Sequence, residues 1–221
     1  GSTPGWTATS ASAYSSGTTF KITADSITTA TVDLSAIVTA SNANGSLTID
    51  LNNATGAVIV KAPQVTAAGT ATIIGGAGND SIVGSQGSDS LVGGAGQDSL
   101  YGYSGADSIS GGEGNDLISA GSSAAVSTAT LNDTLDGGDG DDTIYGSGGS
   151  DAITGGSGND SILGGNGSDT ITAGDGNDFI ATGSGSGTAA VAADTLGDTI
   201  NAGDGNDTIY GSGGSDSICL L

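Results

Sequence analysis

Fourteen aspartates occupy one fixed place in a nine-residue unit: Asp80, Asp89, Asp98, Asp107, Asp116, Asp133, Asp142, Asp151, Asp160, Asp169, Asp178, Asp198, Asp207 and Asp216. Each is the sixth residue of its copy, and most copies open on a glycine-rich run such as Gly75-Gly76-Ala77-Gly78. A carboxylate beside unobstructed glycine carbonyls offers hard oxygen donors, the ligands of an alkaline-earth cation. Ca²⁺ takes about six to eight oxygens at about 2.3–2.6 Å, more than one hexapeptide supplies but within reach of two stacked turns. The expected site therefore lies between alternate copies, with Asp80 and Asp98 sharing one ion and Asp98 and Asp116 the next. Mg²⁺ fits less well because it dehydrates reluctantly and demands strict octahedral geometry. Zinc has no His and no useful Cys to bind.

The same inventory argues against catalysis. Without His there is neither a His-Glu-x-x-His zinc site nor a Ser-His-Asp triad. The lipase elbow Gly-x-Ser-x-Gly is absent: the run Gly183-Ser184-Gly185-Ser186-Gly187 is off its register and reads as flexible loop. Asp139, Asp141 and Asp142 could suggest paired-carboxylate glycosidase chemistry, but their place in the unit assigns them to ion ligation or a solvated turn. Asp204-Gly205-Asn206-Asp207 lacks the glycine and the distal Glu of an EF-hand loop. The chain is expected not to be an enzyme.

The elements that must position these aspartates follow from the rest of the unit. A large aliphatic stands two residues after every one of them, from Ile82 and Leu91 to Ile209 and Ile218. The first six residues can turn tightly, because glycine accepts positive φ. The last three make a short strand with its aliphatic inward and its Ser, Thr or Tyr neighbours outward. A second period of 18 lies over the first. Odd copies read Gly/Ala-Gly-x-Gly-Asn-Asp, as at 75, 111 and 155; even copies read Gly-Ser-x-Gly-Ser-Asp, as at 84, 146 and 211. Two copies per turn of a flattened solenoid account for that alternation, giving two facing sheets and two edges made of turns. Copies six (120–136) and twelve (182–201) are lengthened by about eight and eleven residues, and both are even, so both loops should leave the same edge. Tyr101, Tyr103, Tyr145 and Tyr210 stand nearby.

Composition agrees. The chain has 221 residues with 43 Gly, 24 acids against Lys21 and Lys61, a net charge of −22 and 4 % aromatics. Clustered Lys and Arg, which nucleic-acid binding requires, are missing. No apolar run approaches a membrane span. Such composition could describe a disordered linker, but disorder has no reason to keep a register over residues 75–219. Residues 1–74 differ in kind: short apolar runs such as Leu47-Thr48-Ile49-Asp50-Leu51 and Ala57-Val58-Ile59-Val60 alternate like strands. They are expected to cap the repeats or to form a small sheet of their own. The lone Cys219 reads as incidental.

The pattern Gly-Gly-x-Gly-x-Asp-x-aliphatic-x over 75–219 resembles the repeats-in-toxin (RTX) calcium-binding nonapeptide. The resemblance implies an all-β fold, a right-handed parallel β-roll, and calcium in the turns, roughly six to ten ions in all. It implies ligation by Asp80, Asp98, Asp116, Asp142, Asp160, Asp178 and Asp207 on one edge, and by Asp89, Asp107, Asp151, Asp169 and Asp216 on the other. Turn carbonyls such as those of Gly93, Gly94, Ala95 and Gly96 complete the set. Copies 120 and 182 lose the glycine turn, which leaves out Asp133 and Asp198 and interrupts the even edge. The resemblance further implies type I secretion from a Gram-negative bacterium or cyanobacterium. Two roles are expected: a calcium-dependent extracellular structural protein (surface layer, filament, matrix or adhesin, with self-association), or the C-terminal region of a larger secreted protease, lipase or toxin.

Overall fold

The computed structural model describes residues 6–8, 19–23, 30–33, 46–62, 69–122, 131–183 and 196–220; most of both lengthened loops lies outside them. The described residues form strands, turns and bends, with no helix. The strands make two ten-stranded parallel sheets, and consecutive strands alternate between them. This is the solenoid that the 18-residue period predicts. Neighbouring strands lie about 4.8 Å apart, so ten of them extend over about 45 Å.

The two sheets are built from different parts of the unit. One uses three-residue strands such as Ser81–Val83, Ser99–Tyr101 and Leu117–Ser119. The other uses six-residue strands such as Ser90–Ala95, Ser108–Glu113 and Thr134–Asp139. The longer strands run through the first three residues of every odd copy, so Gly94 pairs with Gly112 and Gly112 with Gly138. The sequence reading assigned all six opening residues to a turn. Glycine's lack of a Cβ is what lets odd copies extend the ladder: Gly112 holds φ at 119°, and a Cβ there would strike the Gly94 carbonyl oxygen.

The core is a single stripe. Of the fourteen repeat aliphatics, twelve from Ile82 to Ile200 are at most 2 % exposed, Ile209 is partly buried and Ile218 is 47 % exposed. The exception has a simple cause: Ile218 lies in the last strand of its sheet and has a neighbouring strand on one side alone. Strands Ser46–Ala54, Val58–Lys61 and Thr70–Ala77 join the same two sheets, and Ile49, Leu51, Val58, Val60 and Ile73 continue the stripe. Trp6–Ala8, Thr19–Thr23 and Ala30–Asp33 pair in parallel into those sheets as well.

The lengthened copies interrupt neither sheet. Ser108–Glu113 pairs in register with Thr134–Asp139, and Thr170–Asp175 with Thr199–Asp204. Both insertions leave between a short strand and the following long one, hence from the same edge, as their even numbering requires.

Because each rung contributes two aliphatics, losing one is felt locally and strongly. Ile153→Ala should lower stability by about 2–5 kcal/mol, whereas Thr154→Ala on the exposed face of the same strand should change it by less than about 0.5 kcal/mol. Urea unfolding in saturating calcium, followed by circular dichroism, measures both.

Candidate metal centre

The aspartates form two columns, one on each turn edge. Asp80, Asp98, Asp116, Asp142, Asp160 and Asp178 are buried on the odd edge, and Asp89, Asp107, Asp133, Asp151, Asp169 and Asp198 on the even edge. Asp207 and Asp216, on the last rungs, are half-buried.

Each column is threaded by one repeated hydrogen bond. The backbone N–H of Asp80 donates to Asp98 Oδ1 at 2.8 Å, that of Asp98 to Asp116 Oδ1 at 2.8 Å, and that of Asp116 to Asp142 Oδ1 at 2.7 Å. The series continues to Asp160, Asp178 and Asp207. On the other edge it runs from Asp89 through Asp107, Asp133, Asp151, Asp169 and Asp198 to Asp216. The link spans the insertions unchanged. This is the pairing of alternate copies expected from the period, but its first agent is a backbone amide.

That leaves Oδ2. On Asp80, Asp98, Asp107, Asp116, Asp142, Asp160 and Asp178 this atom is buried and has no hydrogen-bond partner. A buried, unsatisfied carboxylate oxygen is costly, and so many in register need a common explanation. Six of them, Asp80, Asp98, Asp107, Asp116, Asp142 and Asp160, face a carbonyl. A Cβ placed on Gly75 would collide with both Asp80 Oδ2 and the Gly93 carbonyl oxygen. The same coincidence recurs at Gly93 with Asp98 and Gly111, at Gly111 with Asp116 and Gly137, and at Gly137 with Asp142 and Gly155.

Of the carbonyl donors the sequence singled out, Gly93 thus faces Asp80. Ala95 already accepts the Gly78 N–H at 2.7 Å, and the carbonyls of Gly94 and Gly96 lie against the following turn at Gly112 and Gly114. Among the described residues no three acidic, His or Cys side chains converge on a point. An ion here would be held by carboxylates and main-chain carbonyls together, an all-oxygen set suited to Ca²⁺ rather than Zn²⁺. The residues fit the ion.

Electrostatics point the same way. Burial pushes the Asp80, Asp116 and Asp160 carboxyls up to about 6, against N–H bonds that pull them down and neighbouring aspartate charge that adds to the rise. Asp107 and Asp142 are pushed to about 7 and Asp133 to about 6, again by burial first. Asp89, Asp98, Asp151, Asp178 and Asp198 are raised too, with burial the largest cause in each. The exposed Asp141 is lowered, by bonds from Asn159.

Three serines escaped the sequence reading. Ser85, Ser147 and Ser212, at the second position of even copies, place their hydroxyls against the even-edge carboxylates. Their restriction to copies 84, 146 and 211 was the available signal.

The model of the RTX calcium-binding nonapeptide repeat matches residues 66–100, 92–124, 128–162, 154–189 and 193–220. No curated protein and no solved structure matches the chain.

In the metal-free chain these carboxyls bind protons more tightly when folded than when unfolded, where their pKa is about 4. Their contribution to stability is then greatest below about pH 4 and is lost as pH rises through about 6 to 7. In EGTA, the β signal in circular dichroism should therefore be strong near pH 5 and fall by pH 7.5. Saturating calcium should restore it at pH 7.5, because the ion takes the place of the proton.

Proposed function

Since the chain belongs to the RTX calcium-binding nonapeptide repeat family, we propose that it is a secreted structural protein whose calcium ions turn an acidic chain into a rigid extracellular rod. The observation that carries this reading is the unbroken odd-edge column of buried, partnerless carboxylate oxygens from Asp80 to Asp178. Those oxygens lie in successive rungs, so the ions they would hold support the body of the solenoid rather than one local site. Asp80, Asp98, Asp116, Asp142, Asp160, Asp178 and Asp207 would hold the odd-edge ions with the carbonyls of Gly93 and its equivalents. Asp107 and its even-edge neighbours would hold fewer. Calcium supplies positive charge between carboxylates that otherwise repel, and ligand oxygens tie each turn to the next.

Residues 1–74 are the calcium-free end in this reading, because their sequence lacks the glycine–aspartate unit. Outside, where calcium reaches millimolar levels, the chain would fold; during export it would remain unfolded. Such coupling suits a surface-layer, filament, matrix or adhesin subunit exported by a type I system from a Gram-negative cell or cyanobacterium. The absence of His supports a structural role over a catalytic one. The regular outer faces of the sheets, with Thr143, Tyr145, Ser161 and Thr208 on one of them, offer a repeating surface for self-association.

Calcium titration at pH 7.5 should convert an expanded chain into an ordered rod, read by circular dichroism and small-angle scattering; unchanged β signal in EGTA would overturn the coupling. Electron microscopy of the calcium-loaded chain should show lattices or filaments, and isolated rods at high concentration would argue against assembly. Asp116→Asn keeps the Oδ1 acceptor but removes the charge. It should lower the calcium stoichiometry and raise the folding midpoint in calcium about tenfold, equivalent to about 1.4 kcal/mol.

A further inference from the structure

Second-position serine occurs in three copies, at Ser85, Ser147 and Ser212, and all three are even. Their placement is not random along that edge. Each stacks on a stretch where the nine-residue unit is broken. Ser147 and Ser212 follow the two insertions, and Ser85 stacks on Gly69, in the non-repeat segment that ends at residue 74.

Each hydroxyl meets a carbonyl of the preceding turn and the carboxylate of its own copy, and at Ser147 and Ser212 a carboxylate of the rung before as well. Ser85 Oγ lies 3.1 Å from the Gly69 carbonyl oxygen and 2.8 Å from Asp89 Oδ1. Ser147 Oγ lies 3.4 Å from the Leu131 carbonyl oxygen, 3.0 Å from Asp133 Oδ2 and 3.3 Å from Asp151 Oδ2. Ser212 Oγ lies 3.2 Å from the Leu196 carbonyl oxygen, 3.2 Å from Asp198 Oδ2 and 3.4 Å from Asp216 Oδ1. A carbonyl of the preceding turn and one or two carboxylates thus surround one hydroxyl. The Ser147 N–H adds a bond to Asp151 Oδ2 at 2.8 Å, and the Ser85 N–H makes the matching bond to Asp89 Oδ2.

Two further observations separate these junctions from the rest. Asp107 is on the same edge but in a copy with Tyr103 at the second position, and its Oδ2 is without a partner. The backbone also differs. Every odd copy, and the even copies at 102 and 164, holds its second and fourth residues at positive φ, whereas no residue of 84–87, 146–149 or 211–214 does. The peptide planes of the three serine turns are therefore rotated relative to those of the glycine turns. The glycine turns and the serine turns thus do not present the same set of carbonyl oxygens to the neighbouring rung, and an ion needs about six to eight oxygens.

We infer that Ser85, Ser147 and Ser212 stand in for a calcium ion, closing metal-free the three even-edge junctions where the repeat is interrupted. The serine proton and N–H satisfy carboxylate oxygens that an ion satisfies elsewhere, which lets loops enter the solenoid without a complete site behind them. This rests on the calcium reading of the odd edge.

The test is diffraction from the full chain crystallised in calcium, with anomalous peaks locating the ions, alongside equilibrium dialysis of wild type, Ser147→Gly and Ser147→Ala. Wild type should show ions along the column from Asp80 to Asp178 and none between Asp133 and Asp151 or between Asp198 and Asp216. Ser147→Ala should bind as many ions as wild type and melt several degrees lower in calcium, because the carboxylates lose their donor and gain no ion. Ser147→Gly, which restores the Gly-Gly opening, should bind as many ions or one more. An ion between Asp133 and Asp151 in wild type, or a lower ion count in Ser147→Ala, would overturn the inference while leaving calcium on the odd edge. Ions absent from both edges would overturn it together with the calcium reading.

Discussion

Everything in this solenoid depends on how the two oxygens of one carboxylate are used. Oδ1 of each aspartate from Asp98 onward accepts the backbone N–H of the aspartate one rung earlier, and Asp80 and Asp89 accept those of Val58 and Ala71, so the side chain is already fixed before any ion is considered. On the odd edge Oδ2 is then held inside the turn, buried and without a hydrogen-bond partner from Asp80 to Asp178. An oxygen in that position is a penalty without a cation and a ligand with one. The hydrogen bond that orders the column also buries the charge, and that is the physical ground for coupling folding to calcium in the reading proposed above.

Asymmetry between the edges follows from what precedes each turn. Odd turns are entered from long strands that carry the sheet ladder through their first three residues, so successive turns superimpose over the whole length from Gly75 to Gly205. Even turns are entered from three-residue strands and keep no ladder of their own, which makes them the place where extra chain can leave. The regular edge keeps its carboxylate oxygens without partners, while the interrupted edge meets several of them with serine. The difference in how carboxylate oxygens are met on the two edges thus follows where loops are tolerated.

The core works on the same rung-by-rung basis. Two aliphatics per turn make a stripe one residue wide, and a stripe that thin leaves each rung dependent on its two neighbours. Ile218 shows the consequence on the last rung, exposed where Ile200, one rung earlier, is buried. Ions distributed along an edge suit such a body better than one strong site would, because stability must be supplied at every rung.

Much of this was readable in the residues. The fixed offset between Asp80 and Ile82, repeated to Asp216 and Ile218, carried the strand, the inward stripe and the turn; the 18-residue alternation carried the two edges and put both insertions on one of them. These are local regularities, and a backbone with period-two strands and glycine turns has few ways to satisfy them. Other features were not readable, because they arise between residues 18 to 29 apart. Which oxygen of Asp98 meets the Asp80 amide, why Ser147 lies between Asp133 and Asp151, and how far the strand beginning at Ser90 runs into the next copy are all set by stacking one rung on another. Sequence alone determined the unit, its register and the oxygen chemistry it carries. Tertiary structure decided which of those oxygens are left for a cation, because burial and hydrogen-bond partners exist only once the rungs are stacked.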